Sequence, residues 1–116
     1  MDNILDHYKN PRHYGQLDKF TVKHGEANTL CGDKIEITIF LDDKEILRDA
    51  KFTGNGCAIS QAAISMLLDE VIGMKKEEIM KINKDNMVEI LGIELGPVRL
   101  KCGLLGLMTL HQALLK

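Results

Sequence analysis

Three cysteines, Cys31, Cys57 and Cys102, and one aspartate, Asp33, are the residues whose types and spacing could do chemistry. Cys31 and Asp33 flank Gly32. If the segment is extended, positions 31 and 33 face the same way, with Cα atoms on the order of 7 Å apart. A thiolate and a carboxylate at that separation can converge on one ion, and Gly32 lets the backbone bend or come close. Cys57 follows Gly54-Asn55-Gly56 and precedes a helical pattern. Cys102 follows Gly96-Pro97 and is expected to open the last helix. Unpaired N–H groups and the dipole at a helix N-terminus favour a negative charge. They lower a thiol pKa from about 8.5 toward the thiolate that binds metal or attacks sulfur. Arg99 and Lys101 flank Cys102 and push the same way. Against this stands the ordinary reading of a lone cysteine as a small buried hydrophobe, and of Asp33 as a turn residue or a solvated charge. No cysteine sits in a CxxC pair. Spacing alone leaves a shared metal or cluster site, reactive thiols and plain buried thiols all open.

The elements that must position these residues follow from the hydropathy pattern. Residues 2–9 predict a short helix, stopped at Asn10-Pro11 because the residue before a proline leaves the helical region. Residues 11–15 then form a turn or loop. Residues 19–27 alternate weakly, with Phe20 and Val22 on one face. Residues 33–42 alternate cleanly, with Ile35, Ile37, Ile39 and Leu41 on one side, the period of a half-buried strand. Asp42-Asp43 is the expected turn, and residues 45–53 the third strand, with Ile46, Ala50 and Phe52 together. The period then changes. Ile64, Leu67, Leu68, Val71 and Ile72 recur at helical spacing, and Gly73 is a natural stop. Short helices are expected around 75–82 and 84–91. A last, strongly apolar helix is expected over 102–115. Consecutive strands followed by helices predict an α+β fold, a small antiparallel three-stranded sheet covered on one face by helices. No repeat or linker divides residues 1–116, so a single domain is expected.

Net charge is −2 with both signs interspersed, which gives no electrostatic case for nucleic acid. Aromatic residues are 4% with no tryptophan, too few for a base-stacking platform. No run approaches the roughly 20 apolar residues that span a bilayer. Asp2 and Asp6 do not suit a signal or transit peptide, so the expected compartment is the cytoplasm. An odd cysteine count argues against a closed disulfide framework.

Beyond these readings, the sequence resembles the IscU/NifU-like iron–sulfur cluster assembly scaffold family nearly end to end. The resemblance is carried by DHYKNPRHYG (residues 6–15), ANTLCGD (27–33), TGNGCAISQAAISML (53–67) and LGPVRLKC (95–102). It implies the IscU/NifU-like sandwich and a carrier rather than an enzyme. Such a carrier accepts sulfur from a cysteine desulfurase and iron from a donor, builds a [2Fe–2S] cluster and passes it to apo iron–sulfur proteins. Carried over residue by residue, the ligands are Cys31, Asp33, Cys57 and Cys102, with Cys102 or Cys31 receiving the persulfide. Thiolates suit iron–sulfur clusters and zinc. A carboxylate in place of a fourth thiolate holds iron less firmly, as release requires. A homo-oligomer with the cluster near its interface is compatible with such an open site.

Three departures qualify the resemblance. Lys101 stands where scaffold members commonly have histidine, and a protonated amine is a poor ligand. Beside Cys102, it is assigned a charge-balancing role. Lysine there resembles the SufU branch, a zinc-dependent sulfur acceptor, and makes zinc the alternative occupant. The 44 residues between Cys57 and Cys102 leave little room for that branch's insertion. Leu95-Gly96-Pro97-Val98-Arg99 replaces the Leu-Pro-Pro-Val-Lys read by the family's chaperone, so chaperone docking is not expected. A NifU-type C-terminal domain is not expected either. His7, His13, His24 and His111 lack metal-ligand spacing to a cysteine and are assigned ordinary surface, capping or packing roles, with His111 partly buried.

Overall fold

The computed structural model describes residues 9–10, 12–28, 32–55, 58–92 and 96–115. Nearly all of the expected 2–9 helix, together with Cys31 and Cys57, lies outside the described residues. The strands are Val22–Asn28 (β1), Asp33–Leu41 (β2) and Leu47–Asn55 (β3). They form an antiparallel sheet in the order β1-β2-β3. Four helices follow: Ala58–Val71 (α1), Lys76–Met80 (α2), Lys84–Leu91 (α3) and Pro97–Leu114 (α4). The α1 and α4 helices pack on each other and on one face of the sheet, so the expected α+β architecture stands.

The core sits between sheet and helices. Ile35, Ile37 and Ile39 of β2 meet Ile64, Leu67 and Leu68 of α1 and Leu105 and Leu110 of α4 in one buried cluster. Each such side chain stabilises the fold by about 1.5–3 kcal/mol relative to exposure. Helix α1 is buried on most of its sides. Ala62, Ala63 and Ser65 keep it slim, and Gly106 lets α4 approach closely enough that a Cβ there would lie 2.9 Å from Ile64.

The third strand departs from the expected phase. Phe40 pairs with Asp49 but Leu41 pairs with Leu47, so Arg48 is an extra residue in the ladder, a β-bulge. The bulge turns Arg48 and Asp49 outward together, leaving Leu47, Ala50 and Phe52 buried and Ile46 only half-buried. Strict alternation from Ile46 misses that step. Phe20, expected within the first strand, precedes β1 and is exposed. The Asp42 turn is as expected. Its carboxylate accepts from the Lys44 and Ile46 backbone N–H groups and from Arg48 Nε at 2.8, 3.0 and 2.7 Å.

The outer edge of β3 is occupied at both ends. Near its start, the Leu47 N–H donates to the Met74 carbonyl and the Gly73 N–H to the Leu47 carbonyl, at 2.9 and 2.7 Å. Further along, the segment expected as a plain loop makes a short parallel bridge between Tyr14 and Phe52. The Phe52 N–H donates to the His13 carbonyl and the Gly15 N–H to the Phe52 carbonyl, each at 2.8 Å. Ser65 Oγ accepts from the Arg12 N–H at 2.9 Å, tying this segment to α1.

Candidate functional site

Asp33 is the first residue of β2, and its burial is set by strand parity. It is in phase with Ile35, Ile37 and Ile39, so its carboxylate points into the layer between sheet and helices, where it is 1% exposed. Gly32, which precedes it, has φ +70°, a conformation that suits glycine and disfavours a Cβ. Asn28 pairs with Asp33, so Thr29–Gly32 is the connection between β1 and β2, and Cys31 belongs to it. A carboxylate this buried needs hydrogen-bond or cationic partners. Among the described residues no buried side-chain oxygen or nitrogen lacks a hydrogen-bond partner.

Cys102 lies on α4 and is 4% exposed. Its place in the helix corrects the expectation that it opens the last helix. The helix begins at Pro97, with Gly96 as N-cap and the Leu100 N–H donating to the Gly96 carbonyl at 2.8 Å. Proline fits the first helical position because its missing N–H would have no intrahelical partner there. Cys102 is therefore in the second turn, behind the first-turn N–H groups and beyond where the dipole acts most strongly. Gly96-Pro97 is the start of the helix, five residues ahead of the expected opening at Cys102. By contrast, α1 starts at Ala58, directly after Cys57 in sequence, as expected.

Lys101 is exposed although its sequence neighbour Cys102 is buried. Successive helical side chains point about 100° apart. Lys101 lines an outer cavity together with Ala27, the partner of Lys34 at the same end of the sheet as Asp33. Helix α4 packs across β1 and β2, and both Asp33 at the start of β2 and Cys102 on α4 are buried. Asn55, the last residue of β3, pairs with Lys34, so the chain leaves β3 toward Cys57 at the end where β2 begins with Asp33. Among the described residues no group of three or more histidine, cysteine, aspartate or glutamate side chains stands within metal-holding range. One thiol and one carboxylate, soft and hard donors that are both buried, are the part of the four-residue set that the described residues contain.

A further pair was not singled out from sequence. Val22, His24 and Glu26 pair with Ile39, Ile37 and Ile35, so they share the helix-facing side of the sheet. His24 Nε2 and Glu26 Oε1 are 2.9 Å apart, with side chains 15% and 32% exposed. This polar pair on an inner face is why β1 alternates weakly. Counting back from the β2 register would have located it. His111 is half-buried as expected, and its Nε2 donates to the Ile79 carbonyl at 2.9 Å, fastening α4 to α2. His13 pairs with Asp69 at 2.7 Å.

Among the described residues no helix is long and apolar enough to cross a membrane. The sequence profile described as NifU-like N terminal domain matches residues 1–116. The iron–sulfur cluster assembly scaffold protein IscU of Thermotoga maritima is 34% identical, over 97% of this chain and 90% of that protein. The zinc-dependent sulfurtransferase SufU of Bacillus subtilis is also 34% identical, over 97% of this chain and 87% of its own length. The crystal structure of a SUF-system scaffold candidate from Fervidobacterium islandicum AW-1 superposes with a TM-score of 0.84 at 28% identity, covering 98% of this chain and 95% of that one. The chain therefore belongs to the family of NifU-like N-terminal domains.

Proposed function

We propose that this protein is an iron–sulfur cluster assembly scaffold, a carrier rather than a catalyst, acting in the cytoplasm as one domain over residues 1–116. The observation that carries the reading is the burial of both the Asp33 carboxylate and the Cys102 thiol, on a strand and a helix that pack together, in a chain 34% identical to a named scaffold. In this reading the cluster is cargo, held by Cys31, Asp33, Cys57 and Cys102. Thiolates bind iron as soft donors, and the Asp33 oxygen is the harder and weaker ligand. The cargo is a [2Fe–2S] unit. Iron comes from a donor protein and sulfur from a cysteine desulfurase. The thiolate of Cys102 or Cys31 attacks the terminal sulfur of the desulfurase persulfide. A new S–S bond forms on this chain, the donor's S–S bond breaks, and the desulfurase thiolate leaves. A partner electron donor then supplies two electrons per sulfur, which cleave the new S–S bond, release the cysteine thiolate and yield the sulfide of the cluster. Burial of Asp33 and Cys102 keeps water from the labile iron bonds, and the Lys101 cation offsets part of the summed negative charge. Completed clusters pass to apo-proteins.

Anaerobic reconstitution with iron and sulfide tests this. Visible absorption with matching iron and sulfide is expected, and Cys57→Ala is expected to abolish it. A cluster unchanged in amount and spectrum in Cys57→Ala would sink the ligand assignment. Lys101 and the likeness to the Bacillus sulfurtransferase favour one second reading, a zinc-dependent sulfur acceptor. That reading expects stoichiometric zinc in protein purified without oxygen, and a several-fold faster desulfurase; iron with sulfide in its place counts against it.

A further inference from the structure

A cavity of about 670 Å³ lies between α4 and the α2–α3 corner. That volume lies within the range of about 300–1,000 Å³ typical of ligand-binding sites. Its floor is Leu104, Leu105, Leu107 and Met108 of α4. Met108 is 44% exposed, a large apolar side chain in water on an otherwise well-packed helix. The rim carries Lys84 at the start of α3 and Lys101 on α4, and none of the described lining residues is acidic. Lysines facing each other across leucines, without a carboxylate, leave two needs unmet. Among the described residues nothing covers the apolar floor and no carboxylate lines the rim.

We propose that this groove docks an acidic amphipathic segment of a partner protein, a helix with two or three apolar anchors and carboxylates on its flanks. Charge complementarity selects that occupant. A basic segment meets Lys84 and Lys101, and a second copy of this groove would bring like charges together. Apolar anchors at i, i+3 or i+4 and i+7 match a floor laid along one helix. The inference goes beyond the scaffold reading and does not rest on it. The groove begins at Lys101, beside Cys102 in sequence, so a partner seated there lies along the helix that carries the buried thiol.

The test uses a fluorescent peptide of about 14 residues, long enough to form a helix on binding, with leucines at those spacings and glutamates elsewhere. A matched peptide has lysines for the glutamates. Anisotropy is read on the full chain, with amide NMR shifts to locate the contact. The acidic peptide is expected to bind with a Kd of roughly tens of micromolar and to shift amides of residues 104–112 and 82–84. Met108→Glu is expected to weaken binding more than about tenfold, and Lys84→Glu by about three- to tenfold. Both positions are on the surface, and circular dichroism checks that each variant folds. Equal binding of both peptides, no acidic-peptide binding at millimolar concentration, or shifts confined elsewhere would each overturn the proposal. So would a concentration-dependent dimer that Met108→Glu abolishes, since the groove would then be a self-association surface.

Discussion

Gly54→Ala isolates how closely β2 and β3 are packed at the end of the sheet where β2 begins with Asp33. A Cβ built on Gly54 would run into the carbonyl oxygen of Lys34 and lie within 3.2 Å of the Ile35 Cα and the Lys34 carbonyl carbon. All three obstacles are backbone, so no rotamer change relieves them. A glycine-to-alanine change at a compatible position stabilises by about 0.4–1 kcal/mol, through lost freedom of the unfolded chain. Overpacking a well-filled site costs about 1–3 kcal/mol. Here the second effect wins, for a net loss of about 1–2 kcal/mol. For a domain of this size that lowers Tm by roughly 4–10 °C. Gly25→Ala is the control on β1, the strand on the other side of β2. Its Cβ would meet the Ile35 carbonyl oxygen at 3.5 Å, an ordinary contact, so its Tm is expected to hold or rise. Thermal melts of the two variants and the parent, followed by far-UV circular dichroism, decide the matter. If Gly54→Ala melts at or above the parent while Gly25→Ala falls, the packing argument is refuted. The change also displaces β2 next to Asp33, so reconstituted cluster yield is expected to fall in Gly54→Ala below its melting temperature.

Gly106→Ala sets a helix-propensity gain of about 1 kcal/mol against a Cβ placed 2.9 Å from Ile64 Cβ and 3.2 Å from its Cα. A lower urea midpoint is expected, and an unchanged or higher one refutes the close crossing of α1 and α4. In the scaffold reading, Asp33→Cys replaces the proposed hard ligand with a fourth thiolate. The reconstituted cluster is expected to survive a chelator challenge at least about threefold longer, and an equal or shorter lifetime removes Asp33 from the ligand set. Asp42 has its pKa held below the ordinary 3.8, chiefly by the Ile46 N–H, with Arg48 and the Lys44 N–H assisting against some desolvation. A depressed carboxylate contributes stability that is present above its unfolded value and lost as pH falls through the folded one. Asp42→Asn is therefore expected to flatten the loss of denaturation midpoint between about pH 5 and pH 3. An identical acid slope in both proteins would remove the turn carboxylate as its source.

Much of the fold was legible because β2 follows a single rule. Its alternation placed Ile35, Ile37 and Ile39 in the core, and the same parity points Asp33 inward. Asn83 and Gly92 bracket α3 with a capping box and a left-handed C-cap, and its expected span of 84–91 was correct. The misses have local causes. The Arg48 bulge shifts the phase of β3, and no residue type announces a bulge. His24 and Glu26 occupy inner positions of β1, where the pattern looks for apolar residues. Pro97 stops a helix when placed inside one and starts one when placed first, and sequence periodicity weighed the first role too heavily. Cys102 was recognised as a candidate, but its burial comes from the crossing of α4 over the sheet, a long-range contact that spacing does not encode.

The bulge at Arg48 makes that position one where neither the side chain nor the residue itself is needed to keep Leu47 in phase with the core. Replacing the arginine by another residue removes one exposed ion pair to Asp42, which costs little. Deleting the residue would regularise the ladder with Leu47 still opposite Leu41 on the inner face, whereas deleting Lys51, outside the bulge, would put Leu47 and Ala50 out of phase with Phe52. Tolerance of both substitution and deletion, confined to Arg48 and Asp49 within the strand, is the signature such a position should leave in a library of substitutions and single-residue deletions.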